Sequence, residues 1–148
     1  MAEVMKNNFA TWILQVAAFG CAMALTPVLC CTERPVTAQE AKSLVVAWLA
    51  SQGVDTRSPR FLLDIDPEQR AFPDFYFLSA AYEQSESVPS LGHFAVNRGN
   101  AELWDWELCK RLHSAGVISL QKSLRKKIKL SAQEYERLSK VAPCSGPT

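Results

Sequence analysis

Residues 92–107, GHFAVNRGNAELWDWE, decide the fold. Asn97, Arg98, Gly99 and Asn100 make a Gly-centred turn, and the residues on both sides of it alternate in polarity. Alternation at a period of two around such a turn predicts a β-hairpin. On the first arm (91–97) Phe94 and Val96 face one way while His93, Ala95 and Asn97 face the other; on the second (101–107) Leu103 opposes the side of Glu102, Trp104 and Trp106. Two tryptophans on one face need cover, from the protein's own helix or from a partner. Exposed aromatic patches are uncommon on monomers, so cover by the 38–52 helix is the expectation, with Trp104 and Trp106 the candidate binding residues if a partner supplies it.

Upstream of the hairpin, Phe61 to Ile65 is a short apolar run ended by Asp66 and Pro67, residues 74–83 are rich in Phe and Tyr, and 85–90 is turn-forming. Two further strands are predicted there. Before them, Thr37 with Glu40 three residues on forms a capping box, Ala41, Leu44, Val45, Trp48 and Leu49 recur at helical spacing, and Gly53 supplies a stop. An amphipathic helix of about four turns follows, with the Trp48 stripe as core. Downstream, Val117, Leu120, Leu124 and Ile128 carry an apolar helical face over 115–129. Ser131 and Glu134 open a second capped helix that turns Tyr135 and Leu138 inward, and Pro143 ends it. The expected class is α+β: an N-terminal helix packed on a curved antiparallel sheet of three to four strands, with a C-terminal helical segment.

That order, with the helix at 41–53 and the strand, Gly99 turn and strand of 92–106, resembles the small exported α+β modules of the PepSY and cystatin type, and the NTF2-like domains of some bacterial immunity proteins. The resemblance spans about half of the chain beyond the N-terminal 31 residues and implies a binding role. It transfers no active-site residues. The closing segment that runs to Cys144 has no counterpart in the minimal version of those modules.

The N-terminus points to export. Lys6 precedes an uncharged run of 13 residues, 9–21, and Ala22, Met23 and Ala24 supply the small-x-small pattern of a cleavage site. A signal peptide is expected over 1–24, extending to 31 in the longer reading, followed by a linker over 25–36 and one domain over 37–148. An uncleaved anchor is the rival, because 9–31 is 23 residues without a charge, enough to span a bilayer at about 20 residues per crossing. Lipidation is a weaker variant: Cys21 follows Gly20, whereas Cys30 and Cys31 follow Leu29 and another Cys. The expected location is periplasmic or secreted, with a membrane-anchored form facing the periplasm as the alternative.

Beyond residue 31 two cysteines remain, Cys109 and Cys144. An even count in an exported chain predicts a disulfide between them. A catalytic thiol would need an activating base, and His113 is the sole local candidate.

Composition excludes more than it assigns. With 148 residues, 48% hydrophobic, 21% charged and a net charge of +1, the chain is one globular domain in size, without a disordered or collagen-like bias. Charge is nonetheless segregated: residues 61–108 hold nine acids against Arg70 and Arg98, whereas 109–130 hold seven bases and no acid. The basic helix either packs beside the acidic sheet or offers Lys122, Arg125 and Lys126 to an anionic partner. No Gly-rich phosphate loop, GxSxG elbow, HExxH helix or metal-ligand spacing occurs, so no cofactor or metal is expected. Asp64, Asp66 and Glu68 fall two apart, yet no nucleophile or metal-binding His accompanies them. The balance is against catalysis, and no residue is assigned a catalytic role. The expected function is that of an exported bacterial envelope protein that binds another protein, inhibitor- or immunity-like, through Trp104 and Trp106 or through the basic helix. The alternatives are a small-ligand carrier or hydrolase with a helix–sheet pocket, and a membrane-anchored structural component; nucleic acid is not an expected partner.

Overall fold

The computed structural model describes residues 34–66, 72–83 and 89–144. All of them belong to the unit Thr32–Thr148, one of two into which the chain divides. The expected signal peptide and nearly all of the linker, with Cys21, Cys30 and Cys31, lie outside the described residues, as do Pro67, Glu68, Arg70 and residues 85–88 of the turn expected over 85–90.

Helix α1 (Ala38–Ser51) begins at the predicted capping box: the Thr37 hydroxyl accepts from the Glu40 N–H while the Glu40 carboxylate accepts from the Thr37 N–H at 2.8 Å. Its stripe Ala41, Leu44, Val45 and Leu49 is buried, with Trp48 packed at its margin. The strands are β1 (Phe61–Ile65), β2 (Phe75–Tyr82), β3 (Ser90–Asn97), β4 (Leu103–Asp105) and β5 (Lys110–Arg111), paired antiparallel in chain order. The sheet is therefore a five-stranded meander rather than one of three or four strands. The fifth strand has two residues, KR, too short and too polar for alternation to reveal it. Helices α2 (Ala115–Lys127) and α3 (Ala132–Ser139) follow, capped by Ser114 and Ser131.

Alternation assigns the two sheet faces. Leu78, Ala80, Phe94, Val96 and Leu103 meet α1 and the α2 residues Val117 and Leu124 in the main core. Phe75, Phe77, Ala95 and Trp104 form a second cluster on the opposite face, with Phe72 and Ala142 against it. A register shift at Ala80/Ala81 opposite β3 marks a bulge. Gly92 sits there at φ +134°, with the Phe94 ring 3.2 Å from where its Cβ would stand, a position that demands glycine.

The β3–β4 connection holds these layers together. The Asn97 side-chain oxygen accepts the N–H groups of Gly99 (2.9 Å) and Asn100 (3.1 Å), and the Asn100 side chain accepts the Glu102 N–H. The turn's own carbonyls reach outward: Arg98 accepts from the Val36 N–H, Ala101 from Gln121 Nε2 and Asn100 from Arg125 Nε. Gly99 matters here for clearance rather than for its dihedrals: a Cβ would stand 2.7 Å from Leu138 Cδ1 and would push that side chain aside. Asn97→Ala leaves two turn N–H groups unpaired beside a buried site, so urea unfolding is expected to show a loss of about 1–3 kcal/mol.

Helix α2 is tied to α1 by Lys127, whose ammonium lies 2.5 Å from Glu40. That bond, then the Thr37 N–H, hold the Glu40 carboxyl down at about 2 from its ordinary 4.5, against an opposing push from burial. Because the folded state gives up this proton more readily than the unfolded chain, the contribution is complete above pH 4.5 and disappears as pH falls toward 2. Denaturation midpoints followed over that window should decline in the wild type, and the Glu40→Gln variant should lack that part of the decline.

Candidate functional site

The two tryptophans expected to act together have different environments. Trp104 is 7% exposed, but its cover is not α1. It lies on the far face among Phe75, Phe77, Ala95 and Ala142, under the Arg111 guanidinium at 4.8 Å. Trp106, beyond the end of β4, is 40% exposed, its ring 4.9 Å from that of Phe77. Leu108 beside it is 73% exposed. The far face is thus covered at its Trp104 half by the C-terminal segment and open at its Trp106 half.

The open half carries a row set by register. Asp64 pairs with Ser79 and Ser79 with His93, the Ser79 hydroxyl lies 2.9 Å from His93 Nδ1, and His93 Nε2 is 3.8 Å from Glu107. A serine, a histidine and a carboxylate in line suggest acyl transfer, but Ser79 sits in a strand flanked by two partners. The backbone N–H groups around it are engaged in ladders on both sides and cannot serve as oxyanion donors. The arrangement is suited to accepting hydrogen bonds and cations. Of the expected acidic trio, Asp64 is exposed on this face, the Asp66 N–H is bonded to the Phe77 carbonyl, and Glu68 lies outside the described residues.

The basic helix splits as well. Lys122 and Lys126 are exposed, whereas Arg125 stacks on Tyr135 at 4.2 Å and donates to the Asn100 carbonyl at 2.9 Å. Arg125 serves the hairpin turn. Trp106 lies four residues from Glu102 along the second arm, roughly 13 Å at strand spacing, so the two candidate surfaces are separate. Among the described residues no ion pair joins the basic helix to the acids of the sheet, and its Lys127 pairs with Glu40 of α1.

Sequence reasoning missed a buried polar cluster. The Glu102 side chain, 5% exposed, accepts from the Tyr135 hydroxyl at 3.0 Å and lies 3.4 Å from Arg111 Nε. Arg111 also donates to the Ser139 carbonyl. With His113, Ile118, Gln121 and Arg125 these residues line a cavity of about 180 Å³ between β4, α2 and α3. Helix α3 buries no residue completely, so these polar contacts and Leu138 dock it. Burial first, then the hydrogen bond to Glu102, raise the Tyr135 phenol above its ordinary value. Only the tertiary approach of 102, 111 and 135 could expose this cluster.

Cys109 and Cys144 stand at disulfide distance, with Cα atoms 5.9 Å apart, and bring the chain's end back to the start of β5. Among the described residues no group of three or more His, Cys, Asp or Glu side chains is arranged to hold a metal. No helix among them is long and apolar enough to cross a membrane.

No family model and no curated protein sequence matches the chain. Among solved structures it is similar to a chain from a type VI secretion system effector–immunity complex of Pseudomonas protegens. That similarity has a TM-score of 0.60 at 20% identity, covering 73% of this chain and 89% of the other. At that identity the shared property is the fold.

Replacing Tyr135 by Phe removes the donor to a buried carboxylate and should cost about 1–3 kcal/mol in chemical denaturation. The raised phenol makes folding less favourable as pH rises through the ordinary tyrosine range near 10. In an alkaline absorbance titration the latest-ionising component should be missing from the Tyr135→Phe variant.

Proposed function

We propose that the chain is an exported bacterial envelope protein that works by binding another protein, as an inhibitor or immunity factor does, with the partner docking on the open half of the sheet. The observation that carries this reading is the exposure of Trp106, its ring against that of Phe77, and of Leu108 in the turn that follows β4. Tryptophan is enriched where a few side chains supply most of the binding energy. The likeness to a chain solved within an effector–immunity complex supports the same class of activity. The uncharged run 9–21 and the Cys109–Cys144 pair support a location outside the cytoplasm, where disulfides persist. In this reading a signal occupies 1–24, a linker 25–36 and the binding domain 37–148.

The carrier alternative would use the cavity beside Glu102. At about 180 Å³ it falls below the roughly 300–1,000 Å³ of ordinary small-molecule sites, and Arg111 and Arg125 on its wall are committed to Glu102, Ser139 and Asn100. Protein binding is the better account of this surface.

The test is recovery of the full-length tagged chain from the envelope fraction of its host, with co-purified protein identified by mass spectrometry. Trp106→Ala with Leu108→Ala should lower recovery of that protein at least tenfold while the circular dichroism spectrum is unchanged. Undiminished recovery, or a chain found only in the cytosol, would remove the proposal.

A further inference from the structure

The open side carries two exposed carboxylates, Asp64 and Glu107, while Lys110, two residues past Leu108, stands opposite Asp105. Asp64 forms no ion pair among the described residues, and the Glu107 carboxylate lies 3.8 Å from His93 Nε2. The arginines and lysines that do form contacts are spent elsewhere: Lys127 on Glu40, Arg111 on Glu102, Arg125 on Asn100 and Tyr135, Arg98 on Pro73 and Tyr76. The open half therefore pairs an accessible indole with two exposed carboxylates.

Resting on the protein-binding reading, we infer that this half of the sheet is a seat for an arginine-bearing segment of the partner protein, its guanidinium stacked on Trp106 and bonded to Glu107. Arginine fits better than lysine because its planar group can lie on the indole and still present two parallel donors to a carboxylate. The row fixes a spacing. Asp64, Ser79 and His93 cross three strands and Glu107 continues the row from the β4–β5 turn, about 14 Å at roughly 4.8 Å per step, which an extended segment covers in about four residues. A second cation four residues from the first would meet Asp64. Ser79 and His93 between them offer hydrogen bonds to the segment's polar groups.

The probe is a nine-residue Gly/Ser peptide carrying two arginines four residues apart, with a glutamate-substituted peptide as control, titrated into the full-length chain. The readout is the Trp106 indole N–H resonance, assigned by its loss in Trp106→Phe. The arginine peptide should shift it, binding should weaken at least tenfold in the Asp64→Asn, Glu107→Gln double variant, and raising salt should weaken it further. Both substituted positions are exposed, and the spread of amide resonances reports that the variant is folded. No shift, an equal shift with the glutamate peptide, or unchanged affinity in the double variant would overturn the inference. Should the co-purified partner be retained by that double variant yet lost with Trp106→Ala and Leu108→Ala, the docking face stands and the arginine seat falls.

Discussion

The side-chain oxygen of Asn97, accepting two N–H groups of its own turn, is the constraint on which the rest of this structure depends. It fixes the shape of the 97–102 connection, and the carbonyls and glycine of that connection are where the other elements attach. The segment entering α1 bonds to Arg98, α2 reaches Ala101 and Asn100 through Gln121 and Arg125, and Leu138 of α3 rests over Gly99. Secondary-structure elements that share few contacts with one another are thus aligned against one rigid turn. Satisfying backbone groups at a buried loop is costly to omit, which is why so many side chains converge there.

A meander with helices on one face leaves its other face to be dealt with. Here it is treated in two ways. The half near the hairpin turn and β5 is roofed by Ala142 and its neighbours up to Cys144, held by Leu138, the Glu102–Tyr135–Arg111 cluster and the Cys109–Cys144 link. The other half keeps Trp106, His93 and Asp64 accessible. The division falls between residues 104 and 106, two positions apart on the same side of one arm. Cys144 comes up to the Trp106 carbonyl at 3.8 Å but leaves the indole and Leu108 exposed, and function is proposed for those side chains.

The segregation of charge along the sequence has a corresponding structural outcome. The basic α2 lies with α1 on the covered face and discharges one lysine onto Glu40, while the acids of the far face are left facing outward. A field that remains uncompensated on a surface steers partners of opposite sign more than it stabilises the fold. The proposed partner surface follows from that asymmetry.

Several elements were legible because their causes are local. The capping box at Thr37, the Ser131 cap (whose Glu134 carboxylate pairs with Arg137 instead of closing a box), the apolar stripe of α1 and the polarity alternation of 92–107 depend on neighbours within four residues, and they recur in the structure within a residue or two of where the pattern places them. The partner of Cys109 was legible by arithmetic, since only Cys144 remained beyond the N-terminal segment. The order of strands, the two-residue β5, the Glu102 cluster and the separate fates of Trp104 and Trp106 were not. Each depends on register between distant residues and on where the C-terminal segment lies, and a period-two pattern says which side a residue takes but not what covers that side. The sequence by itself determined the helices, the four longer strands, their faces and the pairing of the sulfurs. Only tertiary packing decided which aromatic was buried and which was left for another molecule, because burial is a property of what arrives opposite a residue and not of the residue.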